Sequence, residues 1–401
     1  MAGARGPAER RLTTTAPPYF AAAAPGLEGI TAGELRALGI DGAVEAGGVA
    51  FDGGPDALYR ANLQLRTASR VLVRVAEFHA RSFFELERHG RRVPWERVVP
   101  TGGAVRFRVT CRKSRLYHSD AVAERLMLAA ERAGAVEAPH RGSAATAAAP
   151  ADDADEGGED AQLFVVRVVH DRCTVSADSS GALLHRRGYR QAVARAPLRE
   201  TLAAAILLAA EWDPATPLAD PLCGAGTIPI EGALLARRIA PGLARGRAGA
   251  FAFVGWPELD AARWAEAVAE AERAVLPTAR APIVGSDRDA GAVEAAAANA
   301  ERAGVAADVV LGQAPLSAAP LPPGGGLLAT NPPYGVRVSE GRDLRGLYAR
   351  LGALARDPAG SWRLAVLSPD RRLDGQLGVP VREVLRTTNG GIGVRLVVGE
   401  G

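Results

Sequence analysis

The chain has 401 residues, of which 48% are hydrophobic and 23% charged, and its formal net charge is +3. This length allows two or three domains with buried cores, and no stretch approaches the ~20 consecutive apolar residues that a membrane-spanning helix needs. The three cysteines are too few and too scattered for a disulfide framework or a zinc site. We therefore expect a cytoplasmic protein that has neither a membrane segment nor a bound metal.

The first third of the chain mixes helix and strand patterns. Residues 1–18 carry arginines but no long apolar segment, so we expect a disordered leader and no signal peptide. Leucine and isoleucine recur at near-helical spacing over 27–38, strand patterns follow around 49–51 and 70–78, and Ser82 with Glu85 forms a capping-box pattern. Without a strict strand–helix–strand rhythm, this order predicts an α+β region.

Arginines mark the next strand and the segment after it. Over 105–112 apolar residues alternate with Arg and Thr, which predicts a half-buried strand with a basic outer face. Two basic clusters lie nearby, the first with an aromatic residue: Arg112, Lys113, Arg115 and Tyr117, then Arg186, Arg187 and Arg190. Such clusters can bind phosphates and stack on bases. A solvated basic loop is the alternative interpretation of each.

An acidic, alanine-rich segment interrupts this region at 143–160. So dense a run of like charges predicts a solvated loop insertion. A calcium loop is excluded because neither the ligand spacing nor the closing bidentate Glu is present.

From residue 197 onward, helices alternate with short apolar strands, which predicts a parallel, doubly wound sheet. The strand patterns lie at 218–222, 283–285, 309–311, 327–329 and 364–367. Near the end, 381–388 and 392–398 flank Asn389 and Gly390, and Asn-Gly between strands is a strong hairpin signal. The parallel sheet should therefore finish with an antiparallel strand.

The loop after the first of these strands, 220–227, contains Gly224 and Gly226. Glycines let the backbone approach a ligand closely, and the N-terminus of the following helix offers free N–H groups. No third Gly follows at the spacing of the dinucleotide-binding fingerprint, so the loop does not match that motif. Asp287, at the end of the second strand, can accept hydrogen bonds from ribose hydroxyls. Asp287 could instead cap the next helix, but we favour Asp289 as the cap.

The strand pattern at 327–329 ends in Asn331, Pro332, Pro333 and Tyr334. The Asn331 side-chain carbonyl and a neighbouring backbone carbonyl can accept both hydrogens of an exocyclic amino group, and the Tyr334 ring can stack on a base. The alternative is an ordinary Pro-rich turn after a strand. The motif favours chemistry on an amino nitrogen.

Together with the stretches at 62–71, 185–190 and 196–202, these motifs resemble class I S-adenosylmethionine-dependent RNA methyltransferases that carry a THUMP domain. The likeness is closest to the bacterial 23S ribosomal RNA guanine-N2 methyltransferase family and covers nearly the whole chain. It implies an α/β protein with a C-terminal Rossmann-like class I methyltransferase domain and an N-terminal α+β ferredoxin-like and THUMP region. The implied domains are 19–69 (ferredoxin-like), 70–185 (THUMP) and 186–401 (methyltransferase).

The resemblance also implies the site residues. The cofactor, S-adenosylmethionine, would contact Asp220, Cys223, Gly224, Gly226, Thr227, Asp287 and Gln313, and the catalytic motif would be Asn331, Pro332, Pro333 and Tyr334. Gln313 departs from the family, because an acidic residue is common at its position. The acidic insertion lies within the implied THUMP domain, and we expect it to loop away from RNA.

The predicted reaction is methyl transfer to N2 of a guanine in 23S ribosomal RNA, which needs neither a metal nor a covalent nucleophile. A tRNA guanine-N2 methyltransferase is the alternative with the same chemistry. DNA adenine-N6 and protein glutamine are less favoured, because the N-terminal stretches resemble RNA-binding proteins. An alternative of another class is an RNA-binding protein whose catalytic site has decayed.

Overall fold

The computed structural model describes residues 18–138, 161–191, 198–334, 344–356 and 360–400. The predicted acidic insertion, nearly all of the predicted leader, Ala196, Pro197 and Gly335 lie outside these ranges. Within them the strands form one eight-stranded sheet and one seven-stranded sheet. No described helix is long and apolar enough to cross a bilayer.

The eight-stranded sheet belongs to the N-terminal region. Its elements are β1 (Tyr19–Ala23), α1 (Glu28–Ala37), β2 (Gly42–Glu45), β3 (Gly48–Phe51), α2 (Gly54–Gln64), β4 (Ala68–His79), α3 (Phe83–Gly90), β5 (Ala104–Arg112), α4 (Ser119–Glu131), β6 (Val136–Glu137), β7 (Gln162–Val169) and β8 (Arg172–Asp178). The strand order is β2-β3-β1-β4-β8-β7-β5-β6. The long strand β4 pairs antiparallel with β1 on one side and with β8 on the other. The boundary expected between 69 and 70 falls inside β4, so the two N-terminal regions share one sheet.

A local sequence signal accounts for the start of α3. The Ser82 hydroxyl accepts a hydrogen bond from the Glu85 N–H at 3.3 Å, and the Glu85 carboxylate accepts one from the Arg81 N–H at 2.7 Å. These two bonds satisfy N–H groups at the start of α3, as the capping pattern predicts.

The seven-stranded sheet lies in the C-terminal region. Its elements are α5 (Glu200–Ala209), β9 (Leu218–Asp220), α6 (Thr227–Ala236), α7 (Leu243–Arg247), α8 (Ala261–Arg273), β10 (Ile283–Asp287), α9 (Ala290–Arg302), β11 (Val309–Gln313), β12 (Gly326–Thr330), α10 (Leu344–Ala355), β13 (Trp362–Ser368), α11 (Arg371–Asp374), β14 (Val381–Asn389) and β15 (Ile392–Glu400). The order is β11-β10-β9-β12-β13-β15-β14. Strands β9 to β13 pair in parallel, and β15 pairs antiparallel with β13 and β14. The predicted parallel sheet with an antiparallel terminal hairpin is confirmed.

The strand order places the site. From central β9 the chain moves first to β10 and β11 on one side, and later to β12 and β13 on the other. This reversal is a topological switch point, and ligands of doubly wound sheets bind at the carboxyl ends of the strands there. The loops after β9, β10 and β12 therefore meet at one crevice.

Residues between α6 and β10 pack against the N-terminal region. The Tyr59 ring of α2 stacks on Phe253 with centroids 5.0 Å apart and meets Trp264 edge-on at 5.7 Å. A second link is polar, since the Arg66 guanidinium donates to the Ile239 carbonyl at 2.7 Å. The segment that separates the glycine loop from β10 thus joins the two regions through buried aromatic packing.

Candidate functional site

The loop between β9 and α6 is held in a tight, glycine-dependent form. Gly224 and Gly226 have φ angles of +52° and +81°, in the left-handed region that favours glycine. The Gly224 N–H donates to an Asp287 carboxylate oxygen at 3.1 Å, and the Cys223 N–H donates to the Ser286 carbonyl at 3.0 Å. These bonds tie the loop to the end of β10, so predicted residues from two distant segments do come together.

Asp220 ends β9 and is 3% exposed. Its Oδ1 accepts hydrogen bonds from the Leu222 N–H at 3.1 Å and the Thr330 hydroxyl at 2.7 Å. The pKa of this carboxyl is raised to about 7. Burial is the main cause and the nearby Asp287 charge adds to it, whereas the two hydrogen bonds act in the opposite direction. Among the described residues, no cationic side chain pairs with Asp220 or Asp287.

Asp287 and Asp289 make different backbone hydrogen bonds. Asp289 is the N-cap of α9 and accepts from the Gly291 N–H at 2.9 Å, which confirms the predicted cap. Asp287 accepts from the N–H groups of Gly224 and Asp289, the latter at 3.0 Å. It thereby organises the glycine loop, a role that sequence reasoning missed.

The other predicted cofactor residues lie around this loop. Gln313 is exposed, is in register with Asp287 across β10 and β11, and donates to the Arg288 carbonyl at 3.1 Å. Thr227 is the buried first residue of α6. Burial raises the pKa of the Cys223 thiol, so this cysteine stays protonated at neutral pH.

The Asn331 motif follows β12, the strand beside β9. Pro332 is buried, and Asn331 and Pro333 are half-buried. The Asn331 side-chain oxygen is buried and has no hydrogen-bond partner among the described residues. An unsatisfied buried polar atom costs about 1–3 kcal/mol, and this one is an acceptor without a donor at the switch point of the sheet.

Tyr334 is fixed from the terminal hairpin. Its ring is half-buried against the core, and its hydroxyl accepts a hydrogen bond from the Asn389 side-chain amide. Burial raises the pKa of Tyr334, and the Asn389 bond lowers it. Asn389 is recognisable in the sequence only as a turn residue, because 55 positions separate it from its partner.

The first basic cluster forms an exposed loop between β5 and α4. Its four predicted residues, Arg112, Lys113, Arg115 and Tyr117, are all exposed, with Tyr117 at 69%. Asp171 holds this loop, since its carboxylate accepts from the Arg115 N–H at 2.8 Å and its own N–H donates to the Ser114 hydroxyl at 3.0 Å. The basic groups and the aromatic ring are therefore presented together to solvent.

The second basic cluster requires a correction. Arg186 is exposed, but Arg187 is only 6% exposed, and its guanidinium donates to the carbonyls of Leu184 and Arg66. Arg190 forms a two-bond pair with Glu200, at 3.0 and 3.1 Å. Arg187 is thus a structural residue that an external phosphate does not reach, and of the three only Arg186 is exposed.

Comparisons with known proteins agree with this geometry. The model of the family UPF0020, described as an RMKL-like methyltransferase domain, matches residues 187–397, and the RlmL ferredoxin-like domain model matches 18–72. The chain is 36% identical over 390 residues to ribosomal RNA large subunit methyltransferase K/L of Syntrophotalea carbinolica, covering 94% of this chain and 53% of that protein. It thus spans about half the length of that relative.

Two further matches cover both partners almost completely. A putative RNA methyltransferase of Synechocystis is 32% identical over 383 residues, covering 95% of this chain and 96% of that protein. The crystal structure of SMU.472, a putative methyltransferase complexed with SAH, superposes with a TM-score of 0.81 at 30% identity, covering 97% and 99% of the two chains. The predicted ferredoxin-like region and C-terminal domain are confirmed by the family matches.

Proposed function

Because the chain belongs to the UPF0020 family of RMKL-like methyltransferases, we propose that it transfers a methyl group from S-adenosylmethionine to N2 of a guanine in 23S ribosomal RNA. The observation that supports an amino group as the methyl acceptor is the buried Asn331 side-chain oxygen, which has no hydrogen-bond partner in the described part of the chain. Together with a neighbouring backbone carbonyl, it can accept the two N–H hydrogens of an amino group, whereas a hydroxyl offers one O–H hydrogen and a carbon acceptor offers no strong donor. The large-subunit ribosomal RNA methyltransferase among the relatives supports the choice of RNA.

The residues at the switch point fit S-adenosylmethionine. Asp220 is a buried carboxyl with no cationic partner among the described residues, and the cofactor carries positive charge on its sulfonium and ammonium groups. Asp287 lies beside the glycine loop, where a carboxylate suits ribose hydroxyls. When bound, S-adenosylmethionine supplies a methyl group on a sulfonium sulfur, which the acceptor nitrogen takes with loss of one proton.

The chain's own residues position the acceptor. Asn331 Oδ1 and the Pro332 carbonyl accept the two hydrogens of the amino group, which aligns the nitrogen for in-line attack. The same oxygens stabilise the positive charge that develops on nitrogen. The Tyr334 ring, held by Asn389, stacks on the base, which must leave its helix to be reached.

We assign RNA binding to the region 70–185, as a THUMP domain. It would lie between a ferredoxin-like domain at 19–69 and the methyltransferase domain at 186–401. The proposed location of the protein is the cytoplasm. The exposed loop with Arg112, Lys113, Arg115 and Tyr117 supports this assignment, since it combines phosphate-binding groups with a stacking ring. Arg186 lies outside that loop and is a further exposed basic residue.

Substrate class is tested with tritiated S-adenosylmethionine and, separately, protein-free ribosomal RNA and bulk tRNA from a strain that lacks the protein. The RNA is then digested to nucleosides. Label in N2-methylguanosine from ribosomal RNA supports the proposal, and label from tRNA alone selects the alternative substrate. Label in N6-methyladenosine would contradict the guanine assignment.

The RNA-binding loop yields a separate prediction. Arg115→Ser should lower the slope of log Kd against log salt by about 1, because one phosphate contact is lost. Tyr117→Ala should weaken binding by about 1–3 kcal/mol, the usual loss for one stacked base. Both are measured by fluorescence anisotropy over a KCl series. Arg280→Ser, at an exposed arginine outside the loop, is the control, and equal effects of all three variants would argue against this loop.

Two glycines of the cofactor loop give a matched pair. A Cβ at Gly226 would lie 2.9 Å from Ala296 Cβ, whereas a Cβ at Gly224 would meet no protein atom within 4 Å. Gly226→Ala should therefore lower the unfolding midpoint most. Gly224→Ala adds only left-handed strain of about 1–2 kcal/mol, yet should weaken cofactor binding at least tenfold. Calorimetric titration and thermal unfolding separate the two effects, and unchanged cofactor affinity in Gly224→Ala would remove that loop from the binding site.

A further inference from the structure

A buried threonine connects the two motifs of the site. Thr330 is the last residue of β12, directly before Asn331, and is fully buried. Its hydroxyl donates to Asp220 Oδ1 at 2.7 Å, across 110 positions of the chain. One hydrogen bond thus joins the strand that carries the acceptor motif to the carboxyl at the start of the glycine loop.

The groups around Asp220 favour opposite forms of its carboxyl. Hydrogen bonds from the Thr330 hydroxyl and the Leu222 N–H stabilise the ionised form. Burial and the Asp287 charge on β10 favour the protonated form, and the Cys223 thiol in the loop is neutral. The Thr330 bond is the largest influence that lowers the pKa of Asp220, which stands at about 7. Loss of this hydroxyl would shift the carboxyl toward its neutral form near physiological pH.

The binding of a cationic cofactor depends on whether the Asp220 carboxyl is ionised. No cationic side chain among the described residues pairs with Asp220, so a bound sulfonium or ammonium group would meet a carboxylate in a buried site. Charge complementarity there is stronger than at an exposed site, because the local dielectric is low. A neutral carboxylic acid would provide little of this attraction.

We propose that Thr330 is a positioning residue for cofactor binding, whose hydroxyl keeps Asp220 ionised and oriented toward the cationic cofactor. This inference rests on the proposed function and adds a residue that lies outside both motifs. A threonine that merely fills space would behave differently, because valine has nearly the same shape without the hydroxyl.

The test is calorimetric titration of S-adenosylmethionine into the full chain between about pH 6 and pH 9, the range around the Asp220 pKa of about 7. Affinity of the wild-type protein should fall as pH decreases through about 7, because the carboxylate is lost there. Thr330→Val should have its pH profile displaced upward by about one pH unit, so that it binds about fivefold more weakly at pH 7. Thr330→Ser, which keeps the hydroxyl, should restore both.

Two controls make the result specific. Thr110→Val, at an exposed strand position, should leave affinity and profile unchanged. In an Asp220→Asn background, Thr330→Val should add no further loss, since there is no carboxylate to hold. Thermal unfolding of each variant identifies a general folding defect.

The outcomes are distinguishable. If the wild-type protein binds S-adenosylmethionine but Thr330→Val matches its affinity and pH profile, the inference is overturned and the proposed function stands. A wild-type affinity that is flat across this pH range would also overturn the inference, without need of any variant. If the wild-type protein binds no S-adenosylmethionine at any pH, the proposed function itself fails.

Discussion

Asn331→Ala is expected to lower the rate of methyl transfer by about 10²–10³-fold, the usual loss when one preorganised polar group of a reacting centre is removed. The side-chain oxygen is buried without a partner among the described residues, so it can still accept a hydrogen bond from the proposed substrate. Cofactor affinity should change little, because the glycine loop, which we propose binds the cofactor, is tethered to β10 and not to Asn331. The loss should therefore appear in the chemical step.

Single-turnover transfer from tritiated cofactor to RNA, together with calorimetric titration of the cofactor, measures the two effects separately. Gln376→Ala removes an exposed side-chain amide elsewhere in the same region and serves as the matched control. Equal loss of transfer and of cofactor affinity in Asn331→Ala would point to local unfolding. Transfer at the wild-type rate would show that the amino group is held by other residues.

Arg187→Met is expected to lower the free energy of unfolding by about 3–5 kcal/mol, the cost of removing one partner of a buried ion pair. Arg187 Nε lies 3.6 Å from the Glu231 carboxylate, and both side chains are almost fully buried. Glu231 would retain the Tyr189 hydroxyl, which donates to it at 3.0 Å. The Arg66 charge also acts on Glu231, but Arg187 is the partner that forms an ion pair with this carboxylate among the described residues. One hydrogen bond and a more distant charge do not replace that partner in a buried site.

Urea unfolding followed by circular dichroism measures this change. Arg186→Met, next to it in the chain but exposed, is the control and should change stability by less than about 0.5 kcal/mol. The double variant Arg187→Met, Glu231→Gln should lose less than the sum of the single losses, because no charge is left unpaired. Additive losses would show that the two side chains do not interact.

This ion pair also connects the two regions of the protein. Glu231 lies in α6, the helix that begins at the glycine loop, and Arg187 donates to the backbone carbonyl of Arg66 in the N-terminal region. Arg66 in turn donates to the carbonyl of Ile239 at 2.7 Å. Variants of the pair should therefore loosen the attachment of the N-terminal region as well as the fold.

Sequence alone determined the features that depend on neighbouring residues. The alternation over β5, the Ser82 cap, the Asn389 turn and the Asp289 cap are decided within a few positions, and all were predictable. Strand and helix alternation also predicted the parallel sheet, because parallel strands need a long crossover connection, which is usually a helix. The sheet then places the carboxyl ends of β9, β10 and β12 at one crevice.

Only the tertiary structure decided which polar groups meet. The bond from Thr330 to Asp220 and the bond from Asn389 to Tyr334 span 110 and 55 positions, and no local pattern encodes such pairs. The burial of Arg187 is the same kind of fact, because an arginine in a basic stretch has the same local pattern whether it faces water or a buried glutamate. Local chemistry thus specified the elements and motifs, whereas burial and long-range pairing assigned each charged side chain its role.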